Sequence, residues 1–261
     1  MTLSIPEQNR FKQIISLRHR GSREVSGQFL VEGTREISAM CQSGYDCLEL
    51  WVAQSRHDAL EKQIGQVTQR FPLAKSHVIP DELYEKAGYR LKTEGLLAVC
   101  NTVNLPLPQT VGNNALFLVA DQLEKPGNIG TLFRIADAFR LAGIIILGDY
   151  DVHHLNVIRN SRGAFFYVPF YLTTDEFLFS WIQNHGLALY LSSPEGNNSL
   201  AEMTLSSPAV MVFGSEHGGL SSIWDKYPSQ YLTIPMQGQH DSLNVAVSAG
   251  ICAYAWRQQH A

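Results

Sequence analysis

The sequence predicts an α/β protein in which strands and helices alternate along both halves of the chain. Short runs rich in Val and Leu, such as 48–53 and 115–120, have the length and composition of buried strands. Amphipathic segments such as 59–71 separate such runs and predict helices. The wholly apolar run 143–147 is typical of a parallel sheet, because helices cover both faces of such a sheet. These observations together indicate a layered α/β architecture.

The elements of the first half follow from local patterns of apolar residues and turn formers. Gly44 is expected to end the second helix, because glycine accepts the left-handed conformation that commonly follows a helix. Helices are expected at 6–20, 34–43, 59–71 and 80–86, and strands at 29–33, 48–53, 76–79 and 95–100.

A break in the pattern divides the chain. Between residues 104 and 114 lie two prolines, one glycine and three asparagines, a composition typical of a linker. We therefore expect a first domain of residues 1–104, a linker of 105–114 and a second domain of 115–261.

The second half repeats the alternation of strands and helices. Strands are expected at 115–120, 143–147, 165–168, 187–191, 209–213 and 232–234, and helices at 128–141, 153–160, 174–184 and 220–225. A last helix is expected to open at Ser242, because serine is a good N-cap, and to run to the C-terminus.

Composition excludes several classes of protein. The chain of 261 residues has a formal net charge of −4, so it is not uniformly basic as a protein coated for nucleic acid would be. It has no run of roughly 18 apolar residues and no signal-peptide core, so no membrane span is expected. The four cysteines are scattered, which indicates free thiols and a cytoplasmic location. The histidines and cysteines lack ligand spacing, so no metal site is expected.

Basic residues are concentrated near the N-terminus. Five Lys or Arg residues, but only one acid, occur before Glu24. Two interpretations remain open, a solvated basic helix and an arm that contacts phosphates. Under the second interpretation, the candidates are Arg18, Arg20 and Arg23.

Three polar, glycine-bearing segments follow predicted parallel strands: 125–134, 214–219 and 234–244. Ligands of open parallel sheets bind beyond the carboxyl ends of the strands, so these segments are candidates for one site. Alone, each glycine segment is more simply an ordinary turn. Arg134 lies in an apolar run, where a buried charge needs a partner such as Asp137 or Glu216, or else faces a site.

Taken together, the three segments resemble, in order and spacing, the three motifs of the SpoU/TrmH family of RNA 2′-O-ribose methyltransferases in the SPOUT superfamily. The resemblance covers roughly residues 115–259, and 159–164 is similar to an intervening Ser-x-Gly-Ala segment. The N-terminal half is similar to the family's ribosomal-protein-like RNA-binding domain, through residues 29–35. The three motif patterns are Asn128-x-Gly130-x3-Arg134, Gly214-x-Glu216-x2-Gly219 and Ile234-Pro-Met236 followed by Ser242-Leu-Asn244.

The resemblance implies a SPOUT domain with a deep trefoil knot, a homodimer with its site near the subunit interface, and S-adenosylmethionine as cofactor. It also assigns roles to individual positions. Cofactor contacts fall at Gly214, Gly219, Ile234, Met236 and Leu243; catalytic and supporting roles fall at Asn128, Arg134, Glu216, Ser242 and Asn244; and Arg35 joins the RNA contacts.

The implied activity is methylation of a ribose 2′-hydroxyl, and the separate N-terminal domain favours large-subunit rRNA as substrate. The alternatives are a tRNA 2′-O-methyltransferase and an inert RNA-binding or assembly factor with the same fold. Three positions depart from the family pattern. They are Lys125, where an acid is frequent, Ile135, where threonine is frequent, and Arg140, where glycine is common.

Overall fold

The computed structural model describes residues 4–88 and 94–260. Its helices are α1 Ile5–Ser16, α2 Arg20–Ser26, α3 Thr34–Cys41, α4 Glu61–Arg70, α5 Asp81–Ala87, α6 Pro126–Ala138, α7 Leu155–Ser161, α8 Asp175–His185 and α9 Val245–Gln259. Its strands are β1 Gln28–Glu32, β2 Cys47–Ala53, β3 Lys75–Ile79, β4 Leu96–Asn101, β5 Leu116–Asp121, β6 Gly143–Leu147, β7 Phe170–Thr173, β8 Ala188–Ser192, β9 Asn198–Ser199, β10 Ala209–Phe213 and β11 Gln230–Thr233.

The chain forms two compact units, and the first contains a segment from the middle of the sequence. Residues 1–103 and 151–167 make the first unit, and residues 104–150 and 168–261 make the second. The sequence boundary at 105–114 places 151–167 in the second domain, whereas in space this segment packs within the first unit. The division into functional domains stays a prediction.

A four-stranded mixed sheet forms the first unit, in the order β1-β4-β2-β3. Strand β4 runs antiparallel to both β1 and β2, and β2 runs parallel to β3. Buried side chains from α1, β2 and β4, among them Phe11, Trp51 and Leu97, form its core together with Leu155 of α7. The segment 151–167 therefore contributes to a core built mainly by the N-terminal sequence.

The second unit contains a seven-stranded sheet in the order β7-β6-β5-β10-β8-β11-β9, and each neighbouring pair is parallel. All five residues of β6 are buried, as the apolar run predicted. The predicted α/β class with a parallel sheet is confirmed. The trefoil knot concerns how the chain threads through its loops, which strand order does not test, so it stays a prediction.

Three local predictions away from the last helix were wrong. The expected helix 6–20 is two helices, because i→i+3 hydrogen bonds at Leu17, Arg18 and His19 close the last turn and the backbone then becomes extended. The expected strand 165–168 is instead a short 3₁₀ helix, 164–166, whose aromatic rings pack into the first unit. Gln42, rather than Gly44, ends α3.

Within residues 4–88 and 94–260, no helix is long and apolar enough to cross a membrane. The same residues contain no group of three or more His, Cys, Asp or Glu side chains that could hold a metal ion.

Candidate functional site

A cavity of about 490 Å³ lies in the second unit at the carboxyl edge of the parallel sheet. Its wall includes the last residues of β8 and β10 and the segments that follow them and β11. Because parallel strands end at the same edge, residues distant in sequence meet here. The cavity lies within the size range of small-molecule sites in proteins.

The tight loop after β10 requires glycine at its first position. A Cβ atom added to Gly214 would lie 2.2 Å from the carbonyl carbon of Gly219, which is far inside van der Waals contact. Ser215 and Gly219 exchange two backbone hydrogen bonds, of 2.8 and 3.0 Å, which close the loop. Gly219 adopts φ +65°, a conformation that glycine accepts without strain. The loop thus presents its backbone to the cavity at close range.

The last helix begins later than the sequence indicated. Asn244, not Ser242, is the N-cap of α9, and its Oδ1 accepts a hydrogen bond from the amide N–H of Ala246 at 3.0 Å. Ser242 and Asn244 are both exposed in the single chain. The extended segment before α9 places both residues on the cavity wall.

One hydrogen-bonded network joins the three sequence segments. The Nδ2 of Asn244 donates to Oδ1 of Asn128 at 3.2 Å, and Nδ2 of Asn128 donates to Oε1 of Glu216. Lys125 places its Nζ 3.8 Å from the same Glu216 oxygen. Asn128 is buried and the Glu216 side chain is 15% exposed, whereas Asn244 and Lys125 are exposed, so the network runs from the protein interior to the surface of the cavity.

Arg134 does not join this network. It is exposed on α6 and is absent from the cavity wall, and among the described residues its side chain forms no ion pair or hydrogen bond. The expected ion pair with Asp137 or Glu216 is therefore not formed. Helical geometry explains this, because six residues advance about 600° around the axis, which turns Arg134 about 120° away from Asn128.

All five predicted cofactor positions line the cavity: Gly214, Gly219, Ile234, Met236 and Leu243. Glu216, Ser242 and Asn244 line it as well, whereas Asn128 supports the wall from behind through its hydrogen bonds. Sequence reasoning missed the wall that follows β8, formed by Ser192, Ser193 and Pro194. The rule applied to the other strands would have found it, because β8 is a parallel neighbour of β10.

A buried carboxylate supports the same edge of the sheet. Asp121, the last residue of β5, is 1% exposed. Its Oδ2 accepts hydrogen bonds from the backbone N–H and the hydroxyl of Ser221 and from the indole N–H of Trp224, each 2.8 Å long. Asp121 therefore fixes the chain just beyond the Gly214–Gly219 loop to strand β5.

The basic residues assigned to RNA differ in their exposure, and all of them lie in the first unit. Arg23 is 4% exposed, pairs through two nitrogens with the carboxylate of Asp151 and donates to the carbonyl of Leu17. This arrangement leaves it no surface for a phosphate, so the interpretation of Arg23 as an RNA contact is corrected to a structural ion pair. Arg20 pairs with Glu24 on the surface, Arg18 donates to the Lys86 carbonyl, and Arg35 is exposed.

These features define an α/β protein with a ligand cavity at the carboxyl edge of a parallel sheet, bounded by a glycine loop and a capped helix. Comparison with known proteins then identifies the family. The model of the SpoU rRNA methylase family matches residues 115–254, which is more than half of the chain, and the protein belongs to this family. Residues 8–98 match the MRM3-like substrate binding domain. The resemblance drawn from the three motifs is thereby confirmed.

Relatives extend over nearly the whole chain. A 23S rRNA (uridine(2479)-2′-O)-methyltransferase of Streptomyces viridochromogenes is 28% identical over 91% of this chain and 85% of its own. A solved structure of an RNA 2′-O ribose methyltransferase is 33% identical, with a TM-score of 0.82 and 96% of each chain covered. The SpoU methyltransferase AviRb of S. viridochromogenes, solved with AdoMet, is 26% identical, with a TM-score of 0.88 and coverage of 96% and 97%.

Proposed function

We propose that this protein transfers a methyl group from S-adenosylmethionine to a ribose 2′-hydroxyl of large-subunit rRNA. The observation that carries the proposal is the network that joins Asn128, Glu216 and Asn244 at the cavity, because it links all three motif segments in one structure. Family membership and the named activities of the relatives support the same reaction.

The cavity suits a compact cofactor with both polar and apolar parts. The absence of a side chain at Gly214 lets the Gly219 backbone close against it, so the loop presents main-chain groups to the cavity at that point. Ile234, Met236 and Leu243 supply apolar surface, while Ser192 and Ser193 bring hydroxyl groups to the wall. When bound, S-adenosylmethionine supplies an electrophilic methyl group on a sulfonium. The residues of the cavity would hold the methyl group in line with the ribose hydroxyl, so that the oxygen–methyl bond could form as the sulfur–methyl bond breaks and the hydroxyl proton passes to solvent.

The network fixes one face of the cavity. Glu216 accepts from Asn128 and lies near the Lys125 ammonium, so its carboxylate is held in one orientation. The Oδ1 of Asn244 caps α9, and its Nδ2 donates a hydrogen bond to Asn128. We assign Asn128, Glu216 and Asn244 as positioning residues. We assign Ser242, which is exposed at the wall, to contact with the incoming ribose.

Arg134 is proposed to bind the phosphate beside the reacting ribose. A guanidinium remains protonated at any physiological pH, so it stabilises negative charge and does not accept the hydroxyl proton. The exposed position of Arg134, without an ionic partner among residues 4–88 and 94–260, leaves its charge available for this task.

We propose further that the active protein is a homodimer and that Arg134 serves the cavity of the partner subunit. Helix α9 exposes Val247, Ile251 and Tyr254, which are spaced four and three residues apart and so share one side of the helix. Such an apolar face on a surface helix favours association. A dimer would also resolve why Arg134 lies outside the cavity of its own chain.

The reaction is tested by mapping ribose methylation across rRNA and tRNA from cells with and without the protein. Loss of one modification in large-subunit rRNA is expected. Loss of a tRNA modification would instead assign the tRNA alternative, and an unchanged map would contradict the proposed activity. In vitro, Arg134→Ala should abolish transfer while calorimetry shows nearly unchanged binding of S-adenosylmethionine. If cofactor binding fails as well, Arg134 has a structural role.

The dimeric arrangement is tested by mixing two inactive variants, Arg134→Ala and Gly214→Ala. If Arg134 acts across the interface, each mixed dimer has one complete site, and an equal mixture should regain about a quarter of wild-type activity. If Arg134 acts within its own chain, the Gly214→Ala subunit supplies the arginine to its own defective cavity, and no activity returns.

We place this activity in the cytoplasm. All four cysteines are free thiols, as expected in a reducing compartment. Localisation of a tagged protein by microscopy would test this, and a signal outside the cytoplasm would contradict it.

A further inference from the structure

Segment 151–167 leaves the second half of the sequence and packs within the first unit, where three features hold it. The carboxylate of Asp151 pairs with the buried Arg23 guanidinium. The ring of Phe165 lies 6.0 Å from that of Phe29 and 5.8 Å from that of Tyr45, centroid to centroid. Tyr167 donates from its hydroxyl to Oε1 of Gln42 at 3.0 Å. Aromatic contacts of this kind stabilise the docked segment beyond the burial of the rings alone.

The docked segment carries two arginines and contacts α3, which carries a third. Gly163 packs on α3 so closely that an added Cβ atom would lie 3.0 Å from Cβ of Ala39 and 4.0 Å from Cγ of Arg35. Arg162, the residue before Gly163, is exposed, and Arg159 lies near enough to Glu36 to act on its carboxyl group. We call Arg35, Arg159 and Arg162 the arginine strip.

Two acids, Glu36 and Glu94, interact near the arginine strip. Burial raises the pKa of Glu36, with a smaller contribution from Glu94, while Arg35 and Arg159 oppose the rise. The Oε2 of Glu94 accepts hydrogen bonds from the amide and hydroxyl groups of Thr34. Among the residues that the structure describes, none of the three arginines of the strip forms an ion pair within 4 Å. No ion pair within these residues therefore offsets their charge.

Arg162 is held in a conformation that favours glycine. Its φ of +53° lies in the left-handed region, where a side chain other than glycine or asparagine is strained. It is the residue that ends α7, a position where glycine is the usual choice. An exposed arginine without an internal ion pair contributes nothing evident to folding at this position, which points to a task for its charge.

We propose that the arginine strip, Arg35, Arg159 and Arg162, binds phosphates of the RNA substrate and so provides an RNA contact outside the methyl-transfer cavity. This inference rests on the proposed function, since it takes RNA as the substrate. Guanidinium groups bind phosphate oxygens in a fork geometry, and such contacts position a nucleic acid without reading its sequence. A partner recognised in this way is a sugar-phosphate backbone, and affinity for it falls with salt.

Arg162→Gly is the decisive variant, because glycine relieves the strained backbone and should leave the fold at least as stable. Binding of fluorescent oligouridine and of a 23S rRNA transcript is measured by anisotropy over a series of salt concentrations. Each lost phosphate contact should weaken binding roughly tenfold at low salt and reduce the slope of log K against log salt by about one. Arg162→Lys should restore most of the affinity for both RNAs.

Lys75→Glu is the matched control, because Lys75 is an exposed cation on β3, the edge strand opposite β1 in the same sheet. It should bind RNA like the wild type. A second variant combines Arg35→Gln with Arg162→Gly. Its affinity for both RNAs should fall equally, by roughly a hundredfold at low salt, as expected for two lost phosphate contacts. Melting curves and calorimetry with S-adenosylmethionine should match those of the wild type for every variant.

The outcomes separate this inference from the proposed function. If Arg162→Gly binds RNA as tightly as the wild type, the proposed RNA contact at the arginine strip is contradicted, even when methyl transfer is intact. If the strip variants lose RNA affinity but the wild type methylates no RNA, the strip stands and the proposed activity fails. If the wild type binds phosphatidylserine vesicles and not RNA, the arginine strip is assigned to a membrane surface, and the proposed RNA contact is contradicted.

Discussion

The polar residues of the cavity and the basic residues near the N-terminus were both singled out from the sequence, yet only one group lies together. In the second unit, Glu216, Ser242 and Asn244 line one cavity, and Asn128 bonds to two of them. In the first unit, Arg23 is buried in an ion pair, whereas Arg20 remains on the surface. Motif spacing predicts neighbours because the ends of parallel strands converge, but charge density along a sequence does not predict exposure.

The largest effect is expected for the glycine that shapes the cavity. Gly214→Ala would force a methyl group to 2.2 Å from the Gly219 carbonyl carbon, so the loop must open. Calorimetry should then detect no binding of S-adenosylmethionine. Gly238→Ala, in the segment after β11, is the control, because an added Cβ there meets nothing within 4 Å. Wild-type affinity in Gly214→Ala would show that the loop does not form the cofactor wall.

A second test compares two arginines that the sequence treated alike. Arg23→Ala leaves Asp151 without its partner in a mostly buried site and should lower the free energy of unfolding by about 3 kcal/mol. Arg20→Ala removes an exposed i, i+4 ion pair and should change the free energy of unfolding by less than about 0.5 kcal/mol. Urea titration of both variants measures the difference. Equal losses would mean that burial does not distinguish the two residues.

Acid should weaken the anchoring of segment 151–167 through His153. Burial lowers the pKa of His153 to about 4, with a smaller contribution from Arg23, while Asp151 opposes the shift. Above pH 6.5 the histidine is neutral in both folded and unfolded chains. As the pH falls towards 4, the unfolded chain binds the proton first, so about 2 kcal/mol of stability should be lost between pH 7 and pH 5.

His153→Leu provides the comparison for this acid response, since leucine carries no titrating group. Its unfolding free energy, followed by urea titration at several pH values, should lack the His153 contribution. The same pH slope in wild type and His153→Leu would assign the acid sensitivity to other groups.

The smallest expected effect concerns Arg140, the position where glycine is common in the resembling family. Arg140 has φ +48° just after α6, which is a strained conformation for a residue with a Cβ atom. Arg140→Gly should raise the melting temperature and stabilise the fold by about 1 kcal/mol, whereas Arg140→Ala, which keeps the Cβ atom, should not. A destabilised Arg140→Gly variant would show that the arginine side chain makes a net contribution to folding.

The sequence alone determined the alternation of strands and helices, the parallel sheet and the segments that carry the site. These features depend on local patterns, since an apolar run such as 143–147 predicts a buried strand wherever it lies. Helix boundaries were less well determined. The final helix starts at Val245 because the Asn244 side chain, bonded to Asn128 as well, caps it in place of Ser242.

Only the tertiary structure decided which polar groups are partners and which remain free. Arg23 finds Asp151 128 residues later, and Asn128 finds Asn244 116 residues later. It also decided that segment 151–167 packs with the N-terminal sequence, where Gly163, the residue after Arg162, lies against Arg35. The physical reason is that burial and pairing depend on long-range packing. A charged side chain in the sequence shows that a partner is needed, and the fold determines whether that partner lies within the protein or outside it.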